Sequence, residues 1–278
     1  MDGGRPSATA LSSAAARAAH LVADGEPKVF ADTVAPRLLG GLADEMIRYH
    51  REQGEHIILA GTRAVTTVRA RYAEQRLGRH VQYVILGAGL DTFAYRADGG
   101  IAVFEVDHPA TQEWKKGLLK AAAIAVPRQV AFAPADLAVE RPLRRLLDAG
   151  FDAARPALVS WLGVSYYLTR DAVAATLAEL GRLAPGSEIV MDYALPDGMR
   201  DAEGDAYARI AEQIVAERGE PYASHFAPDE INALLSDHGF EVDQNVSLRD
   251  AVPAPMWRRT DSLRPFDCFR LVSATISG

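Results

Sequence analysis

The apolar positions change their period near residue 80. From about Leu11 to Leu77 they recur at helical spacing, with Ile47, Ile57, Ile58 and Leu59 and then Val65, Val68 and Tyr72 forming stripes. The helical signal breaks near Gly25-Glu26-Pro27 and near Gly40-Gly41, and residues 1–10 (MDGGRPSATA) read as a frayed start. After His80 come short apolar runs rich in β-branched residues: Val81–Leu86, Ile101–Val106, Gln129–Ala133, Ala157–Leu162 and Glu188–Tyr193. Helical stretches lie between them, Ala110–Ala123 and Asp171–Leu183 among them, the second stopping at Pro185-Gly186. Strand alternating with helix predicts an α/β fold, a parallel sheet covered on both faces.

The tail departs from that alternation. Phe240–Leu248 and Phe266–Thr275 read as two strands joined by a link carrying Pro253, Pro255 and Pro265, which predicts an antiparallel pair at one side of the sheet. Two helical segments fill 197–239, the second opened by Pro228 and closed by Gly239. The expected organisation is an N-terminal helical cap over 1–78 and a core over 79–278, with a helical lid inserted at 197–239. On the segment Asp201–Glu217, Ala206, Ile210 and Ile214 share a face suited to packing over a pocket.

Composition narrows the function. The 278 residues are 49% hydrophobic and 24% charged, enough for a sizeable core. Lys and Arg total 30 against 37 Asp and Glu, a net charge of −7, which argues against a protein that grips phosphate backbones. One cysteine, Cys268, excludes an internal disulfide and a cysteine-based zinc site. No apolar run reaches the roughly 18 residues of a membrane span, and no basic-then-apolar leader opens the chain. A cytoplasmic protein is expected, with no metal, nucleic acid or membrane partner. Its expected partners are a small-molecule or peptide substrate and, at most, a second copy of itself in a homodimer.

The strongest local feature is Val84-Ile85-Leu86-Gly87-Ala88-Gly89-Leu90-Asp91-Thr92, a buried strand running into a glycine turn where the backbone can approach a ligand. As a dinucleotide fingerprint it lacks the third small residue, since Thr92 stands there. Phe104-Glu105-Val106-Asp107 closes the next strand, 20 residues after Gly87, where an acid can accept both hydroxyls of a ribose. Ala135-Asp136-Leu137 follows the third strand; Asp136 suits an adenine amino group, or, taken alone, a helix cap. In series the three favour an adenosine site.

Gln82 to Thr92 with Ala94-Tyr95-Arg96 resembles the leucine carboxyl methyltransferase family, which includes bacterial small-molecule and polyketide carboxyl O-methyltransferases. Phe104-Glu105-Val106-Asp107-His108-Pro109 with Lys115, Arg69-Ala70-Arg71-Tyr72, and Trp161-Leu162-Gly163-Val164-Ser165-Tyr166-Tyr167-Leu168-Thr169 are similar to its other motifs, in the same order. The likeness covers about residues 25–195 and continues more weakly through Gly219-Glu220-Pro221 and His238-Gly239-Phe240. It implies the class I methyltransferase fold, a Rossmann-like sheet of seven strands with the last antiparallel. It also implies S-adenosylmethionine as cofactor, S-adenosylhomocysteine as product and a place in secondary metabolism. By the same resemblance Arg69 holds the carboxylate of the cofactor's methionine part and Gly87, Ala88 and Gly89 lie against that part. Asp107 takes the ribose, and Asp136 with Leu137 the adenine. Two positions depart from the family: Leu162 stands where a Glu is common, and Phe93 where an Arg is usual.

The implied reaction is methyl transfer to a carboxylate or hydroxyl oxygen of a small molecule or peptide. A carboxylate, with a pKa near 4, needs no base, so catalysis reduces to positioning, whereas a phenol near 10 calls for one. His225 is the candidate base, with His108 second and better suited to a turn. Tyr167 matches the family tyrosine and could hydrogen-bond the substrate; strand periodicity would turn Tyr166 and Tyr167 to opposite faces. Trp114, Trp161 and Trp257 are candidates to line an apolar site. Two other readings stand beside the methyltransferase: a nicotinamide-dependent oxidoreductase, which lacks its third glycine and a Tyr-x-x-x-Lys pair, and a non-catalytic S-adenosylmethionine sensor or scaffold, for which Leu162 is the motive.

Overall fold

The computed structural model describes residues 7–278, the side chain of Arg79 excepted. One sheet carries β1 Gln82–Leu86, β2 Ala102–Asp107, β3 Val130–Pro134, β4 Leu158–Trp161, β5 Glu188–Ala194, β6 Phe240–Ser247 and β7 Phe269–Ile276. The order is β3-β2-β1-β4-β5-β7-β6. The first five strands pair in parallel, and β7 runs antiparallel between β5 and β6. This is the expected α/β sheet of seven strands with its last strand reversed. β1, β4 and β5 are buried along their whole length, so they read as mainly apolar runs, broken only by Gln82, Ser160, Glu188 and Asp192.

Helices cover both faces: α1 Ala8–Ala23, α2 Ala35–Leu39, α3 Ala43–Glu52, α4 Ile57–Glu74, α5 Phe93–Arg96, α6 Pro109–Ala121, α7 Pro142–Asp148, α8 Arg170–Leu180, α9 Ala202–Glu217 and α10 Pro228–Asp237. One apolar cluster joins Val84, Val159 and Met191 to Leu146, Leu177 and Leu235 of α7, α8 and α10. The opposite face packs Tyr83, Ile85 and Val190 against Val65 and Val68 of α4 and Ala208 of α9. A third cluster holds α1 and α2 together with Leu119 of α6.

Three expectations change. The start is not frayed over residues 7–10: Ser7 caps α1, its Oγ accepting from Ala10 N–H at 3.2 Å, and residues 1–6 lie outside the described part. The glycine turn leads into the single turn α5, and α7 had no counterpart in the apolar pattern. Helix α8 ends at Leu180, earlier than Leu183, with Gly181 as its cap.

The connections reverse direction between β1 and β4, where such sheets open a crevice at the carboxyl ends of their strands. Residues of the glycine turn, the end of β2, the segments after β3 and β4, and Arg69 of α4 line that crevice.

Candidate cofactor and substrate chambers

Two cavities meet above the sheet. The first, about 460 Å³, is walled by Gly87, Ala88 and Gly89 after β1, Asp107 at the end of β2, Asp136 and Leu137 after β3, and Leu162 to Val164 after β4. Arg69 of α4 and Tyr167 also line it. Every residue expected to hold the cofactor is therefore in one chamber. Ser7, Thr9, Ala10, Ser13 and Arg17 of the α1 region close it from above, and Gly219-Glu220-Pro221 from the side. Arg17 pins α1 to the glycine turn, Nε donating to Asp32 at 2.8 Å and Nη2 to the Leu90 carbonyl at 2.7 Å. Thr9 N–H donates to Glu220 at 3.3 Å, joining the two closures.

The carboxylate of Asp107 is fixed by the backbone. One oxygen accepts from Gly89 N–H and the other from His108 N–H. Burial raises its carboxyl pKa, and those two bonds work against the rise. Each oxygen keeps a lone pair, enough for two hydroxyls of one ribose. Asp136 does what a cap would do, Oδ1 accepting from Ala138 N–H at 3.0 Å, and still faces the chamber. His108 caps α6 through Nδ1, which makes it a turn residue as expected. Lys115 is structural: it pairs with Glu105 at 2.7 Å inside the protein.

Arg69 stands between the chambers. Its Nη1 donates to the Tyr166 hydroxyl and to Asp192, each at 3.2 Å. The other Asp192 oxygen accepts from Gly163 N–H at 2.6 Å. Burial raises the Asp192 carboxyl pKa, opposed by the Arg69 guanidinium. Gly163 has φ +75°, and a Cβ there would lie 2.5 Å from Arg69 Nη2. Only glycine turns the chain here while leaving room for the guanidinium. At Gly87, φ +69°, a Cβ would meet Val164 Cγ2 at 2.2 Å.

The second chamber, about 450 Å³, shares Thr9, Ser13, Thr66, Arg69, Tyr166 and Tyr167 with the first. Beyond them its wall is largely aliphatic and aromatic, with Met46, Ile58, Leu59, Val65, Tyr207, Ile214, Val215, Tyr222 and Phe269, and it also carries Glu45, His50, His56, Thr62 and Arg218. Tyr166 and Tyr167 do not point to opposite faces. They sit on one 3₁₀ turn, Ser165–Tyr167, beyond the end of β4, with ring centroids 4.8 Å apart. Tyr222 packs 4.8 Å from Tyr166 and 5.3 Å from Tyr167. Burial raises the pKa of Tyr166, Tyr167, Tyr207 and Tyr222, Tyr207 to about 12, so they act as neutral hydroxyls.

His225 lines neither chamber; its Nε2 lies 3.4 Å from a Glu212 oxygen of α9. The candidate base is thus outside both chambers, and on the same segment it is Tyr222 that lines the second. None of the three tryptophans lines either chamber, and Trp161 is fully buried in the core. On α9 the buried stripe is Gly204, Tyr207, Ala208, Ala211 and Val215; Ala206 and Ile210 fall beside it, and only Ile214 of the expected three reaches the chamber. Sequence reasoning missed Asp192, Tyr207, Tyr222 and His50. Asp192 had a signal: it is a lone acid inside the apolar strand Ile189-Val190-Met191-Asp192-Tyr193.

The donor set of the first chamber fits the expected cofactor. A guanidinium faces one end, a carboxylate with spare lone pairs the middle and a second carboxylate the far end, opposite the tail, sugar and base of an adenosyl amino acid. Its volume lies within the usual range for ligand sites.

Comparison with known proteins agrees. The family model for leucine carboxyl methyltransferase matches residues 10–181, more than half of the chain. A protein of Bacillus subtilis (strain 168), provisionally named an S-adenosyl-L-methionine-dependent methyltransferase, is 34% identical over 299 residues, covering 96% of this chain and 97% of that one. One from Parafrankia sp. with a similar name is 30% identical, covering 89% and 83%. Among solved structures, a DUF574 family protein from Streptomyces avermitilis superposes with TM-score 0.58 at 16% identity, over 94% of this chain and 96% of that one. A protein from Thermobifida fusca gives 0.52 at 20%, over 100% and 97%. At those identities the structures speak for the fold.

Proposed function

The chain belongs to the leucine carboxyl methyltransferase family and is an S-adenosylmethionine-dependent methyltransferase; from that premise we propose that it methylates a carboxylate oxygen of a small molecule held in the second chamber. One observation carries the reading. The six side chains that line both chambers offer a guanidinium and hydroxyls, and none is a carboxylate, imidazole or amine. With no proton acceptor at the junction, the nucleophile must arrive ionised, as a carboxylic acid does at neutral pH.

The sulfonium cofactor supplies an activated methyl group. The chain's residues then bind, orient and keep out water. Arg69, held by Asp192, grips the tail carboxylate of the cofactor; Asp107 takes the ribose and Asp136 with Leu137 the adenine. Tyr167 and Tyr166 aim hydroxyls at the acceptor carboxylate. The N-terminal helices from Ser7 onward and the 197–239 segment flank the chambers and meet at the Thr9–Glu220 contact. Well-oriented approach in a dry site contributes roughly 7–11 kcal/mol to such reactions.

The test is incubation with methyl-labelled S-adenosylmethionine and a panel of carboxylic acids, phenols and amines. A base-labile methyl ester is the expected product. A base-stable ether moves the acceptor to a hydroxyl.

A further inference from the structure

A buried relay of polar groups runs from the N-terminal helices to the wall of the second chamber. Val29 N–H donates to His20 Nε2 at 3.0 Å, which leaves the His20 proton on Nδ1, 2.8 Å from Asp24. Arg63 is 0% exposed and clamps the same carboxylate with two bonds, Nε to Oδ2 at 2.8 Å and Nη2 to Oδ1 at 3.0 Å. Its Nη1 lies 3.2 Å from His50 Nδ1. A guanidinium has no lone pair to offer, so His50 Nδ1 must be the acceptor. The imidazole proton is then on Nε2. His50 is 5% exposed, its ring lines the second chamber, and no described residue accepts from Nε2.

We infer that His50 is a specificity-determining residue: its Nε2–H donates to an acceptor oxygen on the substrate, remote from the reacting carboxylate. Most of the rest of the wall sets the body of that substrate, since Ile58, Leu59, Ile214, Val215, Tyr207 and Phe269 favour an apolar or aromatic skeleton, while Glu45, His56 and Arg218 line it as well. The substrate class is an aryl or alkyl carboxylic acid bearing a carbonyl, ether or hydroxyl oxygen along its chain. A buried donor left unpaired costs free energy, so the site selects against the analogue lacking that oxygen. The carboxylate end of this inference rests on the proposed function; the His50 contact does not.

The experiment uses the full chain saturated with S-adenosylhomocysteine. Calorimetric titration compares phenylalkanoic acids of graded length with counterparts carrying one ketone in the chain. For at least one length the ketone acid binds roughly three- to tenfold more tightly. His50→Leu reduces that preference to about twofold or less. His50→Gln, which keeps an N–H donor, retains it. Parallel assays with labelled S-adenosylmethionine score methyl transfer. A ketone preference lost in His50→Leu but without ester formation leaves the His50 assignment standing and sinks the carboxylate reading. Ester formation without any ketone preference in the unaltered chain overturns His50, whether or not the variants fold, as does a preference that survives His50→Leu. Absence of both binding and transfer overturns both.

Discussion

Arg69 and Asp192 lie 123 positions apart in the chain, yet their side chains meet at 3.2 Å between the two chambers. Asp192 uses its other oxygen on Gly163 N–H, so one carboxylate fixes both the cation and the loop after β4. The pair is almost fully covered, with side-chain exposures of 11% and 2%. Removing one partner of such a pair strands the other charge. Asp192→Ala is expected to lower unfolding free energy by about 3–5 kcal/mol. Asp192→Asn, which can still accept from Gly163, should cost less stability while loosening Arg69. Chemical denaturation measures the first effect and calorimetric titration with S-adenosylmethionine the second.

Arg69→Ala and Asp107→Ala should each weaken S-adenosylmethionine binding at least tenfold with the chain still folded. Arg69→Lys should rescue little, because a point charge lacks the planar fork that matches a carboxylate. Unchanged affinity in both alanine variants would remove the cofactor assignment.

Gly163→Ala separates a site effect from a fold effect. The new methyl group would sit 2.5 Å from Arg69 Nη2, and the end of a flexible side chain can swing away. Backbone strain at φ +75° should cost on the order of 1–2 kcal/mol. Gly198→Ala carries similar strain at φ +81°, with open space around its Cβ. Both should lose comparable stability in thermal melts, but only Gly163→Ala should lose cofactor affinity. Equal affinities would place Arg69 outside the binding site.

Burial, and then the charge of Arg63, push the His50 pKa down to about 4, against an ordinary value near 6.5; Asp24 opposes the shift. The unfolded chain therefore binds the proton more readily than the folded one between those values. Stability from this group is complete above about pH 6.5 and is lost as pH falls toward 4. Burial raises the carboxyl pKa values of Asp24 and Asp32, but their His and Arg partners outweigh it and hold both below the usual value, so their losses come at still lower pH. His50→Gln should flatten the fall in unfolding free energy between pH 6.5 and 4. An unaltered slope would mean that the imidazole titrates as it does in water.

The alternation of strands and helices, the glycine turn, Asp107 and Asp136 were legible because each is a local matter, whereas Arg69 was reached only through the family resemblance. Strand runs are written in consecutive β-branched residues, and a cofactor threaded along the sheet edge meets residues at strand ends, which a reader of sequence can count. Asp192 was half legible: one acid in an apolar strand must have a partner, but nothing local says that the partner is Arg69 on α4. Tyr166 and Tyr167 were misjudged because Gly163 at φ +75° turns the chain out of strand geometry, and alternation no longer applies.

The second chamber belongs to tertiary structure. Tyr207, Tyr222, His50 and Phe269 come from α9, a loop, α3 and β7, and their spacing in the chain carries no period. His225 is three residues from Tyr222, yet only Tyr222 reaches the chamber, and a choice that small is made by packing against Phe269 and Tyr166. The sequence by itself determined the sheet and the strand-end residues that line the first chamber, since both follow from local chain direction and strand ends. Which side chains line the second chamber was decided when four distant segments closed over one cavity, because the burial that selects them exists only in the folded chain.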